Sequence, residues 1–277
     1  EEACRVENLS SKPILICSKQ TDFKKLASKK FEVIIESSKD LLSALEFGLG
    51  DRLHLKIDCG MHRFGVSIPS ELEKINEILE NEKVDLKSIS THFPRTDNRR
   101  ATNKNYQNFL RLRSEISQNC PICFGGSNIL NYDFDFDILR LGIGLYGYDG
   151  DWSKVMKIKS KVAKIESVKR GEHFGYGTFG KAKKDSFLAV VPIGYGDGLR
   201  RALSGKFYVT INDKKYKSVG RICMDCFFVE VDSSVKVGDE VIVMSDAEYF
   251  AKKLDTISYE ILTGFSNLRG ETIIVDN

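Results

Sequence analysis

The sequence predicts an α/β unit followed by an all-β unit. Up to about residue 150, short apolar runs alternate with amphipathic helical patterns, which is typical of a parallel sheet covered by helices. From about residue 151, strand-like runs follow one another with glycines between them and almost no helical pattern. We therefore expect two domains, residues 1–150 and residues 151–277.

Six strands are predicted in the first part. They are the apolar runs 14–17, 33–35, 53–57, 88–92, 122–124 and 138–141. Helical patterns lie between them at 41–47, 70–81 and 106–116, and the second places Leu72, Ile75 and Leu79 on one face. A TIM-type βα barrel closes with eight such units. Six units predict an incomplete (βα)8 barrel.

The second part is predicted to be a β domain. Its strand candidates are the runs 159–168, 187–193, 207–211 and 227–231, and residues 236–243 read as a turn entering a further strand. One short helix is expected at 247–254.

Composition excludes several classes of function. The net charge of +3 is small and no basic block is interleaved with aromatic residues, which argues against nucleic acid as a partner. No apolar run reaches the ~20 residues of a membrane span, and no secretory signal is recognisable. We expect a cytoplasmic protein with no membrane partner.

Seven cysteines raise the question of a metal site. Cys120 and Cys123 form one Cys-x-x-Cys pair, and Cys223 and Cys226 form another about a hundred residues later. Zinc ribbons place their pairs roughly 15–20 residues apart, so no metal is expected. Both pairs enter strand-like runs, which favours small buried thiols in a reducing compartment.

Two segments carry the strongest chemical signal. Asp58-Cys59-Gly60 ends the third strand, and Arg63 follows just beyond it, where the side chains of a βα barrel form its active site. A guanidinium there can grip a phenolate, a phosphate or a carboxylate. The second segment is Gly-Tyr-Gly-Asp-Gly at residues 194–198.

Together these segments resemble the alanine racemase family. Residues 56–65 are similar to its Lys-x-Asp-Thr-Gly-Met-x-Arg-x-Gly pattern, with Cys59 in place of threonine, and residues 194–198 to its Gly-Tyr-Ala-Asp-Gly pattern. The resemblance implies a homodimeric enzyme of the bacterial cytoplasm that depends on pyridoxal 5'-phosphate (PLP). It would interconvert L-alanine and D-alanine by proton transfer between two bases, and so supply D-alanine for peptidoglycan.

The resemblance also implies a set of cofactor contacts. Four short segments match family segments: Thr-His-Phe at 91–93, Gly-Gly-Ser at 125–127, Arg-Leu-Gly-Ile at 140–143 and Ile-Ser-Tyr-Glu at 257–260. The match weakens from Asn267 onward. His92 would stack on the pyridine ring, and Arg140 would face the ring nitrogen, to which an arginine cannot give a proton. The implied phosphate contacts are Ser127, Gly142, Ile143 and Tyr259, and Arg63 is implied as a further cofactor contact.

The substrate side is implied in the same way. Tyr176 matches the catalytic tyrosine, supplied by the partner subunit. Tyr195 would line the substrate entrance, and Arg63 and the Met224 amide would bind the substrate. Lys56 is a lysine inside an apolar strand, and some relatives carbamylate it. An ion pair with Asp58 or with another carboxylate is the alternative.

One family segment has no counterpart in these residues. The lysine that carries PLP lies in a first barrel strand resembling Val-Lys-Ala-x-Ala-Tyr-Gly-His-Gly, and no such segment is found. We expect the reading frame to extend upstream through that lysine, and the chain as shown to be inactive. A racemase of broader substrate range and a non-catalytic PLP-binding fragment are the alternatives.

Overall fold

The computed structural model describes residues 2–9, 11–19 and 22–265, and it divides into two compact units at residues 145 and 146. Asn267 and the residues after it lie outside the described part. The first unit contains five helices and six strands among its described residues. The helices are α1 Glu2–Val6, α2 Phe23–Ala27, α3 Ser38–Glu46, α4 Pro69–Asn81 and α5 Arg99–Arg113. The strands are β1 Ile14–Ile16, β2 Phe31–Ile35, β3 Leu53–Lys56, β4 Ser88–His92, β5 Ile122–Gly125 and β6 Ile138–Arg140.

The six strands form one parallel sheet in chain order, β1 to β6. All six predicted strands and the predicted βα alternation are confirmed. On β3, Leu53 and Leu55 pack in the apolar core with the helices, and His54 and Lys56 alternate onto the other face. The helix α4 adds Leu72, Ile75 and Leu79 to that core, as its spacing predicts.

The helices begin and end where local side chains allow it. Ser37 caps α3 by accepting the Asp40 amide at 3.0 Å, and Asn98 caps α5 by accepting the Ala101 amide at 3.0 Å. Pro69 occupies the first turn of α4, where its missing N–H is not needed. These caps fix the ends of the helices that pack against the sheet. Because the strands are parallel, their carboxyl ends all lie at the same end of the sheet.

The second unit is an antiparallel β structure. Its strands are β7 Ile158–Lys161, β8 Lys164–Val168, β9 His173–Phe174, β10 Gly180–Lys181, β11 Ser186–Val191, β12 Tyr208–Ile211, β13 Lys214–Val219, β14 Phe227–Val231 and β15 Glu240–Met244. Seven of them form a sheet in the order β7-β15-β12-β13-β14-β11-β8, and β9 and β10 pair as a hairpin. The Phe207 ring packs at its core against Phe227 and Phe250, with its centroid 5.2 Å from each of theirs. The predicted β domain is confirmed.

Two predictions in this unit need correction. The run 159–168 is two strands, because Val162 hydrogen-bonds to Gly238 and Asp239 whereas Ala163 hydrogen-bonds to Val190, and β7 and β8 occupy opposite edges of the sheet. Since only two residues join them, these edges must approach each other and the sheet must curl. The helix α6 Ala247–Leu254 lies where predicted. A second helix, α7 Ser258–Gly264, was not predicted, because its residues were interpreted only as a match to a family segment.

Candidate active site

The loop after β3 folds around the carboxylate of Asp58. Its Oδ1 accepts the amides of Gly60 and Met61, both at 2.8 Å, and its Oδ2 accepts the Arg63 amide at 3.2 Å. Gly65 has φ +119°, and an added Cβ would meet the Asp58 nitrogen at 2.8 Å. The loop therefore closes tightly on itself and presents Arg63, exposed, beyond the strand end.

Cys59 serves as a packing residue beneath this loop. Its thiol is buried and accepts a hydrogen bond from Thr91 Oγ1 at 3.2 Å, and Thr91 also donates to the Ile57 carbonyl at 2.8 Å. Burial raises the pKa of the Cys59 thiol, so it stays neutral. Its carbonyl accepts Asn105 Nδ2 at 2.8 Å, which ties the loop to α5.

Arg140 and His92 converge at the carboxyl ends of β4, β5 and β6. The guanidinium of Arg140 donates to the Thr91 carbonyl at 3.0 Å and to the Cys123 sulfur at 2.8 Å. An added Cβ at Gly125 would lie 2.5 Å from His92 Nδ1 and 2.6 Å from Arg140 Nη2, so both side chains lie over this glycine. Only a residue without a side chain fits between them.

The charges around His92 keep its imidazole neutral. Burial lowers the pKa of His92 to about 4, and the positive charges of Arg140, Arg63 and Lys56 act in the same direction. The site therefore combines the neutral, flat imidazole of His92 with the fixed guanidinium of Arg140 beside it.

Ser127 organises the backbone that follows β6. Its Oγ accepts the amides of Gly142 at 3.2 Å and Gly144 at 2.9 Å. An added Cβ at Gly144 would meet Ser127 Oγ at 3.0 Å, whereas one at Gly142 would meet no described atom within 4 Å. Ile143 opens a 3-10 turn in the same segment. The predicted Ser127, Gly142 and Ile143 are thus brought together, with open space in front of Gly142.

Lys56 lies on the same inner face of the sheet and is 6 % exposed. Within the described part of the chain no carboxylate oxygen lies within 4 Å of its Nζ, and its closest aromatic contact is the Phe64 ring at 5.3 Å from the centroid. The ion pair with Asp58 offered as one alternative is not formed, because the Asp58 carboxylate is taken up by three backbone amides.

In the second unit, Tyr176 stands at the tip of the β9–β10 hairpin. It lies between Gly175 at φ +69° and Gly177 at φ +67°, and its side chain is 69 % exposed. Positive φ at both glycines allows the chain to turn sharply on either side of the exposed tyrosine. The hydroxyl is therefore free to act on a group outside the hairpin.

Tyr195 and Met224 are held together by backbone hydrogen bonds. The Tyr195 amide donates to the Cys223 carbonyl at 3.0 Å, and the Gly196 amide to the Met224 carbonyl at 2.8 Å. An added Cβ at Gly194 would run into both of these carbonyls, so a glycine is required for the approach. The segments that carry Tyr195 and Met224 are therefore joined to each other through their backbones.

Tyr259 lies on α7, and its hydroxyl donates to Asp149 Oδ2 at 3.4 Å. Burial raises its pKa, and Asp149 raises it further. In this arrangement the hydroxyl is bound to a carboxylate, so the implied phosphate contact would require it to leave Asp149.

The cysteines are free thiols of differing exposure. All seven cysteines are free, with Cys123 and Cys223 buried and Cys120 and Cys226 half-buried. Over the described ranges, no three side chains of histidine, cysteine, aspartate or glutamate are arranged to hold a metal ion. No helix in those ranges has the length and apolar character of a membrane span.

Sequence reasoning missed Glu36, Thr91 and Asn105 as parts of this site. Thr91 supports both Cys59 and Arg140, and Asn105 reaches the loop from a helix about 46 positions away in sequence. Glu36 follows the apolar β2 directly, at the same end of the sheet as Arg63. The sequence signal available for Glu36 was a charged residue placed immediately after a buried strand.

The two units and their site residues define a protein with a βα sheet followed by a β domain, the architecture of amino-acid racemases. Residues 1–150 match the family model "Alanine racemase, N-terminal domain" and residues 155–272 match "Alanine racemase, C-terminal domain". The chain belongs to the alanine racemase family.

Curated relatives and solved structures agree with this. Alanine racemase of Borreliella burgdorferi is 34 % identical over 213 residues, covering 70 % of this chain and 57 % of the relative. That of Fusobacterium nucleatum is 30 % identical over 300 residues, covering 99 % and 83 %. Thus the alignment spans little more than half the length of the first of these relatives.

Two solved alanine racemases share the fold. The enzyme of E. faecalis superimposes with a TM-score of 0.88 at 25 % identity, covering 96 % of this chain and 80 % of that one. The enzyme of Bartonella henselae, described with covalently bound pyridoxal phosphate, gives a TM-score of 0.84 at 26 % identity, covering 95 % and 80 %.

Proposed function

We propose that the full-length protein is an alanine racemase that uses PLP to interconvert L-alanine and D-alanine. The observation that carries this proposal is the Arg140 guanidinium fixed by Thr91 and Cys123 beside the neutral His92 ring. A permanently protonated group at this place would leave the ring nitrogen of the cofactor without a proton. That favours removal and return of one proton over more extensive rearrangement.

The residues present fit the non-covalent contacts of this cofactor, and the lysine that would carry it belongs to the family segment without a counterpart in this sequence. The neutral imidazole of His92 would lie against its ring, and Arg63 and Arg140 would meet its anionic and electron-rich atoms. Ser127 and the backbone from Gly142 to Ile143 would hold its phosphate, in the open space in front of Gly142. When bound to the amino group of alanine, PLP withdraws electrons from the Cα–H bond and acidifies that hydrogen.

The chain's own residues then handle the proton and the substrate. Tyr176 would take the α-proton on one face of Cα or return it there, and its exposed hairpin position leaves the hydroxyl unobstructed. The Met224 amide and Arg63 would bind the carboxylate, and Tyr195 would narrow the entrance. The locked backbone of the Tyr195 and Met224 segments would keep these two contacts at a constant spacing.

We also propose a homodimer with sites shared between subunits, acting in a bacterial cytoplasm to supply D-alanine for peptidoglycan. Tyr176, Tyr195 and Met224 are large side chains that are 69 %, 43 % and 58 % exposed. Proton transfer at carbon benefits from exclusion of water, which a second copy covering these side chains would provide. The curated relatives reported above are bacterial enzymes.

The experiment is a racemisation assay of the full-length protein with PLP, starting from each enantiomer of alanine and from larger amino acids. We expect D-alanine from L-alanine and the reverse, with larger substrates much slower. Arg140→Glu should lower racemisation and increase conversion of alanine to pyruvate, because a carboxylate would stabilise a protonated ring nitrogen. The exposed Arg111→Glu is the matched control. Absence of racemisation in the full-length protein would overturn the proposal.

A further inference from the structure

The turn that carries Met224 begins and ends with a cysteine. Cys223 is buried and Cys226 is half-buried, whereas Met224 between them is 58 % exposed. The Cys223 amide donates to the Cys226 carbonyl at 2.8 Å, which brings the two ends of this four-residue segment together. The turn therefore holds two thiols next to the backbone amide proposed to bind the substrate carboxylate.

The two thiols are close enough to interact. A hydrogen bond between their side chains is one of the causes that raise the pKa of Cys226. The first and last Cα atoms of a four-residue turn lie within about 7 Å of each other, and a disulfide spans Cα separations of about 4.4–6.8 Å. A covalent bond between these sulfurs therefore requires only a small movement of the turn.

The two cysteines differ in how readily they lose a proton. Burial raises the pKa of Cys226, and the Cys223 thiol and Asp225 add to this effect and bring it to about 12. Cys226 therefore keeps its proton at neutral pH and donates it to the Cys223 sulfur, while the Cys223 thiol lies 3.8 Å from the Arg221 carbonyl. Because a thiolate is the reactive form of cysteine, the first reaction with an oxidant falls to Cys223.

The other Cys-x-x-Cys pair lacks this geometry. Cys123 lies in β5, and the Pro121 carbonyl before it accepts the Ile89 amide of β4 at 2.9 Å, so the chain is already extended there. Three residues of extended chain span roughly 10 Å, which is beyond the reach of a disulfide. The Cys123 sulfur also accepts the Arg140 guanidinium at 2.8 Å. Cys120 and Cys123 thus have the same spacing in sequence, but their Cα atoms are held too far apart.

The Met224 turn is tied to the segment that carries Tyr195. The Tyr195 amide donates to the Cys223 carbonyl at 3.0 Å, and the Gly196 amide donates to the Met224 carbonyl at 2.8 Å. Drawing Cys226 toward Cys223 would rotate the peptide units between them, and so move the Met224 amide relative to Tyr195. A ligand that uses this amide would then bind less tightly.

We propose that Cys223 and Cys226 form a peroxide-sensitive dithiol, which closes reversibly to a disulfide and weakens substrate binding at the Met224 turn. The effect on the substrate rests on the proposed function, whereas formation of the bond does not. The Cys223 thiolate attacks one peroxide oxygen, the O–O bond breaks, and a sulfenic acid and hydroxide are formed. The Cys226 sulfur then displaces the sulfenic oxygen as water. In total, two thiols are oxidised to one disulfide, and one hydrogen peroxide is reduced to two molecules of water.

The test for the bond uses the full-length protein with PLP, first reduced and then treated with hydrogen peroxide. Free thiols are alkylated with iodoacetamide, and the tryptic peptide of residues 222–236 is examined by mass spectrometry. We expect this peptide to be unalkylated and two hydrogens lighter. A parallel sample treated with dithiothreitol before alkylation should carry two alkylated cysteines. Oxidation of Met224 adds an oxygen and is not reversed by dithiothreitol, so the two changes are distinguishable.

Three variants serve as controls. Cys223→Ser and Cys226→Ser should each abolish the loss of two hydrogens, because neither can close the bond. Cys120→Ser removes a thiol from the pair in extended chain and should leave the change intact. Loss of the two hydrogens in Cys226→Ser would mean that Cys223 pairs with another cysteine, and would overturn the proposal.

Racemisation kinetics of the reduced and oxidised forms test the consequence. The KM for alanine should rise about tenfold on oxidation, with a smaller change in kcat, which is the size expected for losing one hydrogen bond to a charged group. Dithiothreitol should reverse the rise, and Cys226→Ser should show no reversible rise. An unchanged KM in protein that carries the disulfide would overturn the proposed effect on binding.

Disulfide formation and racemisation are measured independently. A peptide that keeps both thiols, or that gains only oxygen, would overturn the dithiol even in an active racemase. A disulfide between Cys223 and Cys226 in a protein without racemase activity would refute the proposed function and leave the dithiol intact.

Discussion

Arg140 shows how one residue's role is set by its contacts. Its guanidinium spans β4, β5 and β6 through the Thr91 carbonyl and the Cys123 sulfur, so it cannot swing away from His92. Cys123 was predicted only as a small buried thiol, and the structure gives its sulfur a direct contact with this arginine. Burial lowers the pKa of His92 and the positive charge of Arg140 adds to that effect, whereas for the Cys123 thiol burial raises the pKa and Arg140 opposes it.

Tyr176 is the residue whose loss should separate chemistry from binding. Tyr176→Phe in the full-length protein should reduce racemisation by roughly 10²–10⁴-fold, because a general base contributes about that much. PLP absorbance should be nearly unchanged, since the proposed cofactor contacts lie elsewhere. Exchange of the α-proton, measured separately for each enantiomer, should become strongly unequal.

The control for Tyr176 is Tyr208→Phe, which alters another half-exposed tyrosine of the same unit. It should retain wild-type rates. Equal exchange rates for both enantiomers in Tyr176→Phe would remove Tyr176 from the mechanism.

His92 should make the protein without PLP less stable in mild acid. Its pKa is lowered to about 4 in the fold and is near 6.5 in an unfolded chain, so only the unfolded state takes up this proton between those values. Stability is therefore lost as pH falls from about 6.5 to about 4, by at most about 3 kcal/mol from this group. Urea unfolding of wild type and His92→Asn at several pH values would measure it. Parallel pH profiles for the two proteins would contradict the prediction.

At the scale of single elements, the loop from β3 to Val66 is the most constrained part of the site. It combines three amides on one carboxylate with a backbone bridge between Ile57 and Val66. Gly65 makes this possible, because any side chain there would strike the backbone of residues 56–58. The position of Arg63 thus depends on a glycine two residues away.

Gly65→Ala should accordingly destabilise the fold far more than an alanine substitution at another glycine of positive φ. Gly48 has φ +73° with no described atom within 4 Å of an added Cβ, so Gly48→Ala should cost about 1 kcal/mol in conformational strain alone. Gly65→Ala adds backbone overlap and should cost roughly 3 kcal/mol or more. Chemical denaturation of the two variants compares them, and equal losses would show that the loop relaxes around the added methyl.

At the scale of the whole molecule, the proposed catalytic groups are distributed over two units of different architecture. The βα unit carries the groups proposed for the cofactor, including Arg63, His92 and Arg140, and the β unit carries Tyr176, Tyr195 and Met224. The proposal that each site combines the βα unit of one subunit with the β unit of its partner can be tested by mixing variant subunits.

Mixed dimers of Tyr176→Phe and Arg140→Glu should recover activity that neither variant shows alone. If each site combines Tyr176 of one subunit with Arg140 of the other, a mixed dimer contains one site with both changes and one with neither. Random mixing in equal amounts should therefore restore about a quarter of wild-type activity, when about half of the dimers are mixed. The measurement is racemisation after joint refolding, with each variant refolded alone as the control. No recovery would place both residues of a site in the same subunit.

Much of this protein could be predicted from the order of its residues. Apolar runs and helix periods located all six parallel strands and their main helices, because burial on both faces of a parallel sheet leaves a local pattern in sequence. Glycines beside charged or aromatic residues marked the loops that carry Arg63, Tyr176 and Tyr195, since sharp turns need residues without side chains. The resemblance to a family supplied the roles of those residues.

Tertiary structure alone decided which of these residues touch. The split of residues 158–168 between opposite edges of a sheet depends on pairing with β15 and β11, which lie far away in sequence. The Asp58 carboxylate forms no ion pair with Lys56, because it accepts the amides of the loop that follows it. Register and hydrogen bonding are set by contacts between distant segments, and no local pattern records them.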